Sequence, residues 1–214
     1  MKNLNYIRSV CALSLSAALV LPALAQEKDA KKSESSGGAP GPEMMAAMME
    51  MAKVGENHKL LEQSAGNWSC IVKFWMSPDA PPTESTGSVV RRPMMGGRYF
   101  VSDHTGKMQM PGPDGKMTDF EFKGMAIEGY DNAKKKFVSS WVDNMGTGIM
   151  MSEGDYDAAA KAFTFRAEYE AMPGMKMKIR EVITIADKNH QTMEWYEDRG
   201  GKEVKTMEIK YTRK

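Results

Sequence analysis

Glu181 stands in the run Ile179-Arg180-Glu181-Val182-Ile183-Thr184-Ile185, whose alternate positions are otherwise isoleucine. A carboxylate on such a row faces an apolar interior, where an unpaired charge is costly, so it must be paired, protonated or used. An acid held there can orient a bound molecule or exchange a proton. Three further groupings combine aromatic and charged side chains in the same way. Trp141 and Asp143 share one strand face, Trp195 and Glu197 alternate together, and Arg98, Tyr99 and His104 gather around the start of a strand. Such groups suit the few polar anchors of a mainly apolar small-molecule site. The plainer explanation for each is a satisfied structural hydrogen bond or a rim position. For Asp143 in particular, an aspartate at a strand corner ordinarily caps a turn.

Methionine is the second chemical signal. The chain holds 21, with pairs at Met44-Met45, Met48-Met49, Met94-Met95 and Met150-Met151. Met108 and Met110, two apart on a strand, point to one side. Soft thioethers suit Cu(I), so Met44, Met45, Met48, Met49, Met108 and Met110 are candidate copper ligands. Methionine is also a flexible apolar filler, and a methionine-rich helix against a barrel end needs no metal.

Familiar catalytic patterns are absent. There is no Gly-x-Ser-x-Gly elbow, phosphate loop, His-Glu-x-x-His or paired-cysteine motif. Nothing therefore points to an enzyme, and no cofactor is expected. Catalysis by converging carboxylates such as Glu181 and Asp143 would depend on a geometry that spacing does not supply.

The ends of the chain carry separate information. Lys2 and Arg8 precede an apolar stretch from Val10 to Leu21, followed by Ala23-Leu24-Ala25, the pattern of a cleaved signal peptide over residues 1–25. The expectation is an exported protein, periplasmic or secreted, with no stable membrane insertion after cleavage. Cleavage leaves 27 basic against 28 acidic residues, a balance that does not attract nucleic acid. It also leaves Cys70 as the sole cysteine, so no internal disulfide can form. Residues 26–42 are rich in Lys, Ser, Gly and Pro without apolar period, and read as a disordered linker.

The rest must position the candidate groups. Residues 43–64 read as a short helical segment and 65–214 as one β-domain. Strands are expected from Trp68 to Met76 and then at about 84–92, 98–108, 119–130, 136–144, 148–156, 162–170, 176–186, 191–198 and 202–213. Tyr130-Asp131-x-Ala133 and Phe137 recur as Tyr156-Asp157-x-Ala159 and Phe163, each copy where one strand hands over to the next. The echo is read as hairpin grammar, with Asp capping loop N–H groups. About ten short strands joined by tight turns form an antiparallel up-and-down meander, and closure into a barrel removes its edges.

Gly66-Asn67-Trp68 at the head of the first strand resembles the G-x-W signature of lipocalin and calycin barrels. The resemblance implies that Trp68 closes the barrel floor under an arginine near the end of the last strand, the place held by Arg213. Further, HKLLEQSAGNW, KFWMSPDAPPTESTG, GYDNAKKKF, SSWVDNMGTGIMMSEGDYD and KTMEIKYTRK together resemble a bacterial family called domain of unknown function 1579. That family implies a calycin-like barrel and no established ligand or activity. The expectation is a monomer with one small apolar ligand in the barrel, copper binding and an unrecognised enzyme being the alternatives.

Overall fold

The structure is a computed structural model and describes residues 40–214. The expected signal peptide and most of the expected linker lie outside the described residues. Two short helices, α1 (Pro42–Met51) and α2 (Glu56–Glu62), precede ten strands. These are β1 (Gly66–Phe74), β2 (Thr83–Met94), β3 (Tyr99–Pro111), β4 (Met117–Asp131), β5 (Lys136–Asp143), β6 (Met150–Asp157), β7 (Ala162–Met172), β8 (Met175–Ile185), β9 (His190–Asp198) and β10 (Glu203–Arg213). Every strand pairs antiparallel with its chain neighbour, and β1 pairs with β10 to close the barrel. The strands fall where alternation in the sequence places them, because one buried face fixes a period of two.

The repeated Tyr-Asp motif is turn chemistry. Asp131 Oδ1 accepts the N–H groups of Ala133 at 2.8 Å and Lys134 at 3.0 Å. Asp157 Oδ1 repeats this with Ala159 at 2.8 Å and Ala160 at 3.0 Å. Each turn then closes through a lysine in the left-handed region, Lys135 and Lys161. The flanking aromatics pack inward: Tyr130 lies 4.9 Å from Phe137, Phe137 4.9 Å from Phe163, and Phe163 4.7 Å from Tyr156.

The two ends of the barrel differ. At the helical end, called the floor, the core packs Leu61 of α2 against Trp68, Phe100, Phe137, Phe163 and Ile185. Trp68 Nε1 donates to the Ser64 carbonyl at 3.0 Å, and the Arg213 guanidinium lies 4.2 Å from the indole ring centre. Arg213 also donates to the carbonyls of Ala65, Gln63 (2.8 Å) and Lys188 (2.7 Å), tying α2 to the last strand and the β8–β9 turn. Gly66 is required here. Its φ is +133°, and a Cβ would lie 2.3 Å from Arg213 Nη1. Gly66, Trp68 and Arg213 thus meet at this end of the barrel.

The helix α1 buries none of its residues and leaves Met44, Met45, Met48, Met49 and Met51 exposed. It is held by its C-terminal carbonyls: Asn132 Nδ2 donates to Met51 and Lys53 at 2.8 Å each, and Arg98 Nη2 to Ala52 at 3.0 Å. The opposite end, called the mouth, has no helix. Its loops and strand tips expose Phe74, Met76, Met117, Met145, Ile149, Met172 and Met175.

Arg213→Ala removes three carbonyl hydrogen bonds and the cation–π contact, and should cost about 2–3 kcal/mol. Urea unfolding at unchanged m-value checks it, and Arg213→Lys should recover less than half.

Candidate functional site

Alternation along the strands decides which side chains enter the barrel. On β8, Ile179, Ile183 and Ile185 are buried, which places Glu181 on the inward row with them. It pairs across the sheet with Phe165 on β7 and Trp195 on β9. Among the described residues its carboxyl has no hydrogen-bond or ion-pair partner. Burial is the main cause that pushes it up to about 7, the nearby Glu128 adding to the shift and Arg91 opposing it. The side chain is of intermediate exposure and stands on the inward row of β8.

Two charged residues that were not expected share this interior. Arg91 on β2 and Glu128 on β4 have side chains only 10% and 9% exposed and approach to 3.4 Å, Arg91 Nε to Glu128 Oε2. Arg91 Nε also donates to Ser102 Oγ at 2.8 Å. Tyr211 of β10 belongs to the same group. Burial pushes its hydroxyl far above the usual tyrosine range, and Arg91, Glu181 and Glu128 all influence it. The result is one guanidinium, two carboxylates and a phenol inside a wall that is mainly apolar. A charged cluster of this kind must be paired or must serve a bound group, since unmet charge in low dielectric is expensive.

His104 of β3 lies on the same side of the sheet as Val89, its partner on β2. Burial, reinforced by the Arg91 charge, pushes its pKa down to about 3, so it stays neutral at physiological pH. Its ring meets Trp141 edge-on at 5.0 Å. Trp141 stacks near Phe122 at 6.2 Å and donates from Nε1 to Asp143 Oδ2 at 2.8 Å. The indole lies across Gly124, where a Cβ would come within 2.5 Å of the ring. Asp143 Oδ1 accepts the Met145 N–H at 2.8 Å, so Asp143 caps the β5–β6 turn and steers the indole.

The remaining candidates separate. Trp195 is inward and packs against the core beside Glu181. Glu197 is engaged at the rim by Arg199, with Nη2 at 3.0 Å and Nε at 3.2 Å. Arg98 and Tyr99 do not join the site. Phe100 takes the inward position, so Tyr99 points out over Gly129, and Arg98 sits in the β2–β3 turn binding carbonyls of α1 and Met95. The methionine candidates divide between the two ends. Met44, Met45, Met48 and Met49 stand exposed on α1 beside the floor, while Met108 and Met110 lie on β3 toward the mouth. The two sets cannot share an ion. Among the described residues, no three His, Cys, Asp or Glu side chains converge as metal ligands either.

Two shallow recesses mark the wall near β7–β10, lined by residues including Arg166, Glu168, Lys178, Arg180 and Glu203. Their charges are largely answered by each other, Arg180 Nη2 to Glu203 at 2.7 Å and Lys178 Nζ to Glu168 at 3.9 Å. The unmatched chemistry is inside the barrel.

Glu181 has a measurable signature. Its pKa rises from 4.5 toward 7 on folding, so protonation favours the folded state. This contribution is complete below about pH 4.5, declines as pH rises, and is gone above about pH 7. Relative to Glu181→Gln, the native protein should lose about 2–3 kcal/mol between pH 5 and pH 8. Urea unfolding of both proteins at those two values checks this, and parallel behaviour would contradict the assignment.

Comparison with known proteins identifies a family and one solved structure of similar fold. The model of a family described as Protein of unknown function (DUF1579) matches residues 53–213. Among solved structures, Rv2717c from M. tuberculosis aligns at a TM-score of 0.52 with 12% identity, covering 76% of this chain and 99% of that one. A protein of unknown function from the DUF3598 family of Nostoc punctiforme gives a TM-score of 0.25 at 7% identity, over 75% of this chain and 100% of that one. No curated protein matches the chain.

Proposed function

The chain belongs to the DUF1579 family, whose members are proteins of unknown function, and from that premise we propose that it is an exported binding protein holding one small, mainly apolar molecule in its barrel. The observation that carries this reading is Glu181, an inward carboxyl without a partner among the described residues, set among isoleucine, phenylalanine and tryptophan side chains. Such a group is placed to orient a ligand. The difference between the two ends supports it. The floor is sealed by α2, Trp68 and Arg213, whereas the mouth offers Phe120, Phe122, Trp141 and Tyr169 as partly exposed side chains on the strands that lead inward. A molecule entering there would meet aromatic and thioether surface first and the polar cluster deeper in. The amino-terminal pattern of charge, apolar run and Ala-Leu-Ala supports export.

Chemistry on a substrate has less support. His104 is neutral and against an indole, and Asp143 is committed to Trp141 and the Met145 N–H. Neither stands ready as a partner base for Glu181.

A filling substitution tests binding directly. Ala167 lies on the inward row of β7 beyond Phe165, toward the mouth. Ala167→Phe should weaken binding of the uncharged probe N-phenyl-1-naphthylamine at least tenfold while leaving the unfolding midpoint nearly unchanged. A folded native protein that does not enhance the probe's fluorescence would overturn the reading.

A further inference from the structure

Resting on that reading, we propose that the polar end of the ligand is a cationic amine, received by Glu181 with Glu128 as the second carboxylate and the Trp195 indole alongside. Charge and partnership within the barrel favour a cation. Among the described residues, β2 contributes the single cation, Arg91, and β4 and β8 contribute two carboxylates, Glu128 and Glu181. Arg91 is committed to Glu128 and Ser102, which leaves Glu181 uncompensated. The other groups deep in the barrel add no charge, and Asp143 on β5 adds one only at the mouth, where the Trp141 Nε1–H and the Met145 N–H hold it. His104 on β3 is neutral, the Cys70 thiol on β1 is pushed up by burial, and the Tyr211 hydroxyl on β10 stays protonated. Glu197 on β9 is answered by Arg199, and Asp103, on the outward row of β3, by Arg92.

With Glu181 ionised the cluster therefore carries one net negative charge. A ligand ammonium brings it to neutrality, whereas a ligand carboxylate would place a third anion against two, without water to screen them. Trp195, directly opposite Glu181 in register, places an aromatic ring beside the carboxylate, a combination suited to a desolvated cation. The apolar approach from the mouth asks for a hydrocarbon body on the same molecule. The ligand class is a lipophilic amine with its head inward.

The proposal carries a proton linkage. An amine binds the ionised form of Glu181, whose pKa near 7 means that binding at neutral pH releases a proton from about half of the molecules. Affinity for an alkylammonium should fall about tenfold from pH 8 to pH 6.

Isothermal titration calorimetry of the mature protein with decylammonium, decanol and decanoate, at pH 6 and pH 8 in buffers of different ionisation heat, tests this. The expected result is one site, decylammonium at least tenfold tighter than decanoate at pH 8, and proton release on binding at neutral pH. Glu181→Gln should reduce decylammonium affinity at least tenfold and remove its pH dependence while leaving decanol binding in place. Decanoate binding equal to or tighter than decylammonium would overturn the amine assignment, as would unchanged decylammonium affinity in folded Glu181→Gln. In either case retained decanol binding keeps the binding-protein reading. If none of the three chains binds the folded protein, both fail together.

Discussion

Closure of β1 onto β10 is the constraint from which the rest follows. The partnership of Trp68 with Arg213 marks it, since these residues are register partners across the closing seam and stack over one another. Closure leaves no free sheet edge and gives every strand an inside row, so the character of each inward residue becomes a question of packing or function. Arg213 does more than cover an indole. By donating to the carbonyls of Gln63 and Ala65 it supplies hydrogen-bond donors at the end of α2 and brings that helix down as the floor. A barrel sealed at one end by a helix and an arginine has only one natural entrance.

The polar cluster has to be understood against that sealed floor. Phe100, Phe137, Phe163 and Phe165 belong to the buried core of the lower barrel, and the charged side chains enter from β2, β4 and β8 among them. Arg91 and Glu128 answer each other, with Ser102 holding the guanidinium in place. Glu181 alone lacks an answer among the described residues. A fold stabilised only by its core gains nothing from such a residue, because replacement by a leucine would complete the isoleucine row. Its place on that row is a cost that a binding role explains.

The architecture was legible in the residues because period-two alternation, turn aspartates and the Gly-x-Trp signature all act locally or through one fixed geometry. Trp68 and Arg213 were readable as a pair only through the resemblance to G-x-W barrels, and Glu181 as an inward acid from the alternation along its own strand. Arg91 and Glu128 were not. Arg91 is followed by Arg92, so adjacent guanidinium groups leave the facing of the strand undecided, and only the register with Ser102 shows which one turns in. Glu128 sits between Ile127 and Gly129 in a segment where both rows carry apolar residues. The same ambiguity misplaced Tyr99: Phe100 and Val101 are both buried, so two phases of β3 looked equally apolar. The separation of the methionine groups between floor and mouth depends on the barrel's topology, which spacing along the chain does not contain.

The central claim is that the barrel interior holds a small molecule, and native mass spectrometry of the mature protein, purified from the exported fraction without denaturation, tests it most directly. The account predicts one organic adduct of a few hundred daltons per chain, stripped by unfolding and lost in the Glu181→Ala variant. A protein that stays at its bare mass through gentle purification and after incubation with hydrophobic extracts would contradict it, as would a mass increment of copper in place of the organic one.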